Sequence, residues 1–265
     1  MSALARRLRA LCWNTFREAI RNKILYALVF FGVAMIGAAL ALGQLTLGQE
    51  GRLLRDVGLA GISLFGVLIA VFVGVNLLYK ELDLRTIYVI VPKPLRRSEF
   101  VVGKFLGMGL TVTVLVTVMA LVLAGVELVL GTGPNLALFK SVLLAWGEIL
   151  VVTAIALLFS SFSTPYLSGM FTLGIFVIGR SLPELMQFAK KLDPVPREVI
   201  RVSAALLPNL HLFFVSGQVQ DGQLVSVHGA YVPWAYVGWT LSYGLGYTAI
   251  LVFLGALVFS RRDFM

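Results

Sequence analysis

Long apolar runs separated by short polar breaks organise the whole chain. Six of them, residues 24–43, 57–79, 101–130, 138–162, 165–184 and 233–259, reach the length of about 20 residues that a helix needs to cross about 30 Å of hydrocarbon. The stretch before them alternates differently: Leu4, Leu8, Leu11, Cys12, Thr15, Phe16, Ala19 and Ile20 recur at helical spacing, with Arg6, Arg9, Arg17 and Arg21 mainly opposite. That pattern predicts an amphipathic helix over residues 1–23 lying in the membrane interface. Its basic stretch is too long for a cleavable signal, and no small-residue cleavage pattern precedes Gln44.

Between the last two spans, residues 185–232 form the one sizeable segment expected outside the membrane on the far side. Within it "PREVIRVSAALL" (196–207) carries apolar Val199, Ile200, Val202 and Leu206 behind a proline, which predicts a short amphipathic helix. "GQVQDGQLVSVHGAYVPW" follows with turn signals and alternation, the pattern of a small hairpin. Such a segment caps the outer mouth or meets a periplasmic partner. The fold class expected is an all-α integral membrane protein, a single domain over 1–265 with six transmembrane helices, an N-terminal interfacial helix and a short outer subdomain.

Composition agrees. At 59% hydrophobic and 13% charged residues, with a mean hydropathy of +0.93, the chain has too little polar surface for a water-soluble domain. The net charge of +9 does not require nucleic acid, because the cations flank apolar spans, where the positive-inside bias and anionic headgroups account for them. Fourteen of the 22 Lys and Arg fall on the side of the N-terminus and seven on the other, with Arg180 inside a span. Both termini are therefore expected in the cytoplasm. The single cysteine, Cys12, excludes a disulfide within the chain. His211 and His228, 17 residues apart without nearby cysteine or paired acids, fall short of metal-ligand spacing.

The cytoplasmic loop of residues 80–100 is the long polar interruption. Asp83 to Val91 can form a short helix with Leu84, Ile87, Tyr88 and Val91 along one side and Glu81, Asp83 and Arg85 near its start. Pro92 and Pro94 stop it, since proline lacks the amide hydrogen and disfavours helix in the preceding residue. On spacing alone it is either a docking element for a partner or a plain basic loop held at the headgroups. Gly103-Lys104 echoes a phosphate-binding loop, but Ser98 stands where the earlier glycine is required and Gly103 opens a membrane helix. The chain is thus expected to lack a nucleotide site of its own.

The run Glu81, Thr86, Pro92, Lys93, Pro94, Arg97, Glu99, Phe100, Gly103, Lys104 resembles the loop between the second and third helices of type-2 ABC transporter permeases. "NTFREAIRNKILY" (14–26) is similar to that family's N-terminal connecting helix and "LFSSFSTPYLSG" (158–169) to its fourth-to-fifth-helix turn. "LLPNLHLF" (206–213) is similar to its outer loop and "FSRRDF" (259–264) to its C-terminal end. The nearest flavour is the subgroup of nitrous-oxide-reductase maturation and gliding-motility permeases, although Arg85 stands where many members carry Gly. The resemblance implies a non-enzymatic permease of the bacterial inner membrane, working as a homodimer in an ATP-driven exporter. It implies a separate ABC ATPase, holding ATP and Mg, against a coupling helix at about residues 81–93. Contact is expected through Glu81, Asp83, Arg85, Thr86, Tyr88, Lys93 and Arg97.

Charged groups inside spans are costly and call for partners. Glu127 and Arg180 lie at nearly matching depth near the outer ends of the third and fifth spans. They pair, share a polar network, or snorkel separately to the headgroups. Glu148, ten residues into the fourth span, is too deep to snorkel. It either faces the bundle interior, bonded to hydroxyls such as Thr153 or Ser168 or protonated, or lines a substrate path. Asn76 is read as satisfying backbone at a helix contact, and Gly103 with Gly107 as a small-residue motif for close helix approach. Two rival classes stand beside this reading: a proton-coupled secondary transporter with Glu148 as relay, and an intramembrane hydrolase, which lacks a His-Glu-x-x-His and has both histidines outside the spans. A force transmitter that acts on a periplasmic partner without moving a solute is also allowed.

Overall fold

A computed structural model of the chain describes residues 3–43, 50–83, 97–131, 136–215, 218–220, 223–225 and 232–261. Its helices, in chain order, are α1 (Ala3–Ile20), α2 (Lys23–Gly43), α3 (Glu50–Asp83), α4 (Arg97–Val129), α5 (Leu136–Ser160), α6 (Pro165–Arg180), α7 (Leu182–Ala189), α8 (Pro194–Leu206) and α9 (Trp234–Arg261). A 3-10 turn, Leu210–Phe213, follows α8. A small antiparallel hairpin pairs β1 (Gln218–Gln220) with β2 (Gln223–Val225), as the alternation there predicts. Helices α2, α3, α4, α5 and α9 are each long and apolar enough to cross a membrane, and the bent pair α6 and α7 qualifies only when taken together.

Helix α5 is the hub. Most of its residues are buried, from Leu138 through Ser160, because α3, α4, α6 and α9 all pack around it. By contrast α4 and α9 keep apolar stripes exposed, Leu106, Val114, Val118 and Leu121 on the first and Trp239, Ile250 and Phe253 on the second. In a bundle immersed in lipid such stripes need no protein cover. Gly131, at φ +73, ends the α4 segment in the left-handed conformation that glycine adopts without a steric penalty.

Two boundaries differ from the sequence expectation. Helix α3 begins at Glu50 and not near residue 57, so part of the expected outer segment 44–56 is helix. Buried Leu54, Leu59 and Ile62 carry one inward face through the polar pair Arg55-Asp56, so tertiary contact overrides the local drop in hydropathy. At 34 residues, about 50 Å at 1.5 Å per residue, α3 overshoots the hydrocarbon. The expected fifth span, 165–184, breaks at Ser181, where α7 turns away from α6 by 65°. Pro183 sits in the first turn of α7, where its missing amide hydrogen does no harm but would break a continuous helix.

The segment after α8 packs along the side of α9. Tyr247, 13 residues below the start of α9 and so about 20 Å down its axis, donates its hydroxyl to the Leu206 carbonyl at 2.8 Å. The Tyr243 hydroxyl accepts the Asn209 amide at 2.9 Å, and Tyr236 donates to the Leu212 carbonyl at 2.7 Å. These tyrosines lie on one face of α9 and hold residues 206–212 antiparallel against it. Phe213 then wedges between α5 and α9: a Cβ added to Gly147 would stand 3.0 Å from its Cε1, and one on Gly244 2.8 Å from its Cζ. Non-helical backbone packed against a helix bundle needs hydrogen-bond partners from the protein, and the tyrosine hydroxyls supply them.

Candidate functional site

Polar contacts inside the bundle fall on three levels, and the lowest surrounds the ends of the 80–100 loop. Helix α3 runs on to Asp83, so Asn76, Glu81 and Asp83 belong to its last turns; their side chains lie outside the described part. Leu84 to Arg96, which include Arg85, Thr86, Tyr88, Lys93 and the expected coupling helix, lie outside the described residues. Chain description resumes at Arg97, the first residue of α4. Its guanidinium donates to the Ser260 carbonyl of α9 at 3.1 Å, one level below a stacked pair, Phe100 on Phe259, with centroids 5.7 Å apart.

The opposite side of the α4 start is held by α1. Arg7 lies 3.7 Å from Glu99, and a Cβ on Gly103 would stand 2.7 Å from Leu11 Cβ. One on Gly107 would stand 2.5 Å from Thr15 Cβ and 2.7 Å from the Cys12 carbonyl. These contacts keep a constant offset along both helices, so α1 and α4 run side by side in parallel register. The GxxxG motif thus seats α1 within one chain. Buried Thr15 and Ala19 lie on the face that the leucine spacing picks out. Lys104, expected as a loop cation, is buried in this seam, its Nζ 3.7 Å from Glu18.

At the middle level Ser63 of α3 donates to Glu148 Oε2 at 2.7 Å and accepts from Arg180 Nη1 at 3.3 Å. Arg180 Nε lies 3.9 Å from Glu148 Oε1. The guanidinium also faces the Phe214 ring at 4.1 Å and the Phe176 ring at 5.6 Å, and the Arg180 carbonyl meets His211 Nδ1 at 3.2 Å. One serine hydroxyl therefore bridges acid and base across α3, α5 and the α6 end. A buried carboxylate survives only when paired and hydrogen-bonded, and Glu148 is both. Thr153 and Ser168 do not serve it: the Thr153 hydroxyl bonds the Ile149 carbonyl of its own helix at 2.7 Å, and Ser168 Oγ has no partner among the described residues.

At the outer level Glu127 and Arg180, for which a pair, a shared network and separate snorkelling were open, each take another partner. Glu127, fully buried, takes Arg55 Nε at 2.6 Å, while Arg180 turns inward to Glu148. The early start of α3 is the reason, since it lifts Arg55 out of the expected outer segment and onto a helix facing α4. Lys140 of α5 donates to the Val232 carbonyl at 2.7 Å and lies 4.9 Å from the Trp234 ring, which pins the start of α9.

Sequence reasoning missed Arg55, Ser63, the Lys104 with Glu18 seam and the three tyrosines. Only the tyrosines left a readable trace, spacings of seven and four that mark one helix face. Together the three levels tie the α4 start to α1 and α9, α3 to α5 and the α6 end through Ser63, and α3 to α4 through Arg55 and Glu127.

None of the curated proteins matches the chain. The model of one family does, over residues 9–264, a range that takes in most of α1 and every span. The match identifies a multi-pass membrane permease component of an ABC transporter and implies an ABC ATPase as partner. By that match, spanning nearly its whole length, the chain belongs to the ABC-2 family of transporter proteins.

Proposed function

We propose that the chain is the membrane-spanning half of an ATP-driven exporter that works as a homodimer with two copies of a separate ATPase, docked at the 80–100 loop. In this reading there are six spans, the bent pair α6 and α7 forming the fifth, and both termini are in the cytoplasm of a bacterial inner membrane. Helix α1 lies along the first turns of α4 at the cytoplasmic end of the bundle, with Arg6, Arg9 and Arg17 toward the headgroups. ATP and Mg belong to the partner.

The observation that carries the proposal is the bracing of the α4 start. Arg97 and Phe100 are tied to the end of α9, and Glu99, Gly103 and Gly107 to α1. A partner that displaces the loop then moves α3, α4, α1 and α9 together, which is what conversion of a soluble motor's closure into bundle rearrangement requires. A plain headgroup-held loop has no need of such bracing. Direction is assigned outward because the resemblance is to exporters.

The test is affinity purification of the detergent-solubilised protein from its native host, with complex mass and ATPase activity read on the wild type and on a Tyr88→Ala, Arg85→Glu variant. Recovery of a P-loop ATPase at two-to-two stoichiometry, lost in the variant, is the expected result. Recovery of the permease alone under several mild detergents would overturn the proposal.

A further inference from the structure

Glu148 and Arg180 are matched in charge but not in direct contact. Arg180 Nε stands 3.9 Å from Glu148 Oε1, beyond the roughly 3.2 Å that an N–H to oxygen bond spans. Each side chain also keeps one polar atom that is buried and has no hydrogen-bond partner among the described residues, Oε1 on the acid and Nη2 on the base. Atoms of charged groups are the costliest to bury unmet, and buried polar atoms find their partners in protein or in ordered water.

The rest of the centre keeps the gap from closing. Ser63 donates to Glu148 Oε2 at 2.7 Å and accepts from Arg180 Nη1 at 3.3 Å, so one hydroxyl of α3 fixes both partners. The Phe214 ring lies 4.1 Å from the guanidinium carbon and the Phe176 ring 5.6 Å from it. A swing of either charged side chain toward the other would break the serine bridge or the ring contact.

What fits between them must donate to a carboxylate and accept from a guanidinium. Water does both, and two bonds of about 2.8 Å meeting at roughly 90° on its oxygen bridge groups that stand 3.9 Å apart. An ion is unsuited, because the two charges cancel: an anion would face the carboxylate and a cation the guanidinium. Two polar partners are enough to hold a buried water, and the Arg180 side chain, 23% exposed, leaves a way in.

We propose that a water molecule is a resident ligand of this centre, donating to Glu148 Oε1 and accepting from Arg180 Nη2. Helix α5 and the end of α6 are then joined through water, while α3 holds each of them directly through Ser63. Such a joint follows small changes in helix spacing that a direct ion pair would resist, since the water re-aims its two bonds. The inference rests on the bundle alone and is independent of the ATPase reading.

The test is X-ray radiolytic footprinting of the full chain in nanodiscs. The pulse splits bound water into hydroxyl radicals that oxidise side chains close by, and mass spectrometry locates the added oxygen. Phe176 beside the centre and Phe100 at the α4 start are each 7% exposed, so the pair matches in residue type and in burial. Expected is oxidation of Phe176 several-fold faster than of Phe100. After brief mixing with heavy-oxygen water, label should enter at Phe176 more slowly than at Tyr166, which is 86% exposed at the α5 to α6 turn.

Phe176 oxidised no faster than Phe100 would mean a dry pair and overturn the inference. Label arriving at Phe176 as fast as at Tyr166 would put an open aqueous cavity in place of a resident water and overturn it equally. Glu148→Leu with Arg180→Met removes both anchors and is compared with wild type in unfolding temperature and elution volume first. In that folded variant Phe176 oxidation should drop to the Phe100 rate, and an undiminished rate would show that the water is held elsewhere. The wild-type comparison decides by itself if the variant does not fold.

Discussion

Gly107 of α4 lies so close to Thr15 of α1 that a Cβ on the glycine would stand 2.5 Å from the threonine Cβ. That contact converts a motif commonly read as a helix-dimer signal into an internal seam, flanked by Arg7 with Glu99 and Glu18 with Lys104. Gly107→Val therefore pushes α1 off α4. Overpacking of this kind costs about 1–3 kcal/mol, so the expected result is a lower unfolding temperature in detergent. Gly246→Val, at a position on α9 with nothing near its added Cβ, is the control and is expected to leave stability unchanged or raise it by a few tenths of a kcal/mol, about the difference in helix propensity.

Cys12 reports on the same seam chemically. Burial raises its thiol pKa above the usual range, which keeps it protonated at neutral pH, where a thiolate is needed for alkylation. Maleimide labelling is expected to be slow near neutrality and to accelerate only above the ordinary thiol range. Gly107→Val, by freeing α1, should speed it at every pH. The sign for stability follows: a raised folded-state pKa means the unfolded chain releases its proton first, so this group's contribution declines as pH climbs through the unfolded value. Labelling at the rate of a free thiol in the wild type would contradict the buried seam.

Arg55 and Glu127 form the closest ion pair of the outer level, at 2.6 Å with the carboxylate fully buried. Glu127→Gln leaves Arg55 without its counter-charge, and removing one member of a buried pair costs about 3–5 kcal/mol. Replacing both by apolar residues, as in Arg55→Met with Glu127→Leu, should recover most of that loss. A double-mutant cycle between Glu127 and Arg180 is expected to show no coupling beyond about 0.5 kcal/mol. Strong coupling in that cycle would restore the Glu127 to Arg180 pair, one of the arrangements that matching depth left open.

The hydroxyls of Tyr243 and Tyr247 hold the backbone of the segment that follows α8. Each Tyr→Phe change keeps the ring and removes one hydrogen bond, worth about 1 kcal/mol net. The loss should be larger for Tyr243→Phe, which strands the Asn209 amide, since an orphaned buried donor costs about 1–3 kcal/mol. Hydrogen exchange of residues 206–212 in nanodiscs is the direct readout, with faster exchange expected in both variants.

How much of this was legible beforehand varies with the range of the interaction that decides it. Helices α2, α4, α5 and α9 follow from hydropathy, and α8 and the β1 to β2 hairpin from local period and turn chemistry. The α1 face was readable because Leu8, Leu11, Thr15 and Ala19 recur every turn. What failed was decided across the bundle. Helix α3 starts early because buried Leu54, Leu59 and Ile62 hold one inward face, and hydropathy scores an arginine as a break whether or not it is paired, as Arg55 is with Glu127, 72 residues away. Segment 206–213 reads as an ordinary polar loop, since its descent depends on three hydroxyls on another helix. Depth alone could not choose a partner for Arg180, because a guanidinium side chain spans several ångströms along the normal.

Glu148 is where the leading function and its rival make opposite predictions. A proton relay must release and rebind a proton during each cycle, whereas a structural anchor must keep its bonds to Ser63 and Arg180. Glu148→Gln preserves shape and the capacity to accept from Ser63, but leaves Arg180 uncompensated, so stability should fall by several kcal/mol. Glu148→Gln with Arg180→Met removes both charges and should recover a large part of it. If Glu148 is an anchor, that pair of substitutions keeps ATPase-dependent transport in vesicles whether or not a proton gradient is imposed. A relay predicts the reverse: transport lost in both variants, although the protein folds and assembles normally. Ser63→Ala supplies the internal check, for it removes the bridging hydroxyl and leaves both charges in place. An anchor then loses stability by about 1–3 kcal/mol, the cost of an unmet buried acceptor, with the pH dependence of transport unmoved. A relay, whose proton affinity that hydroxyl tunes, would shift its pH profile.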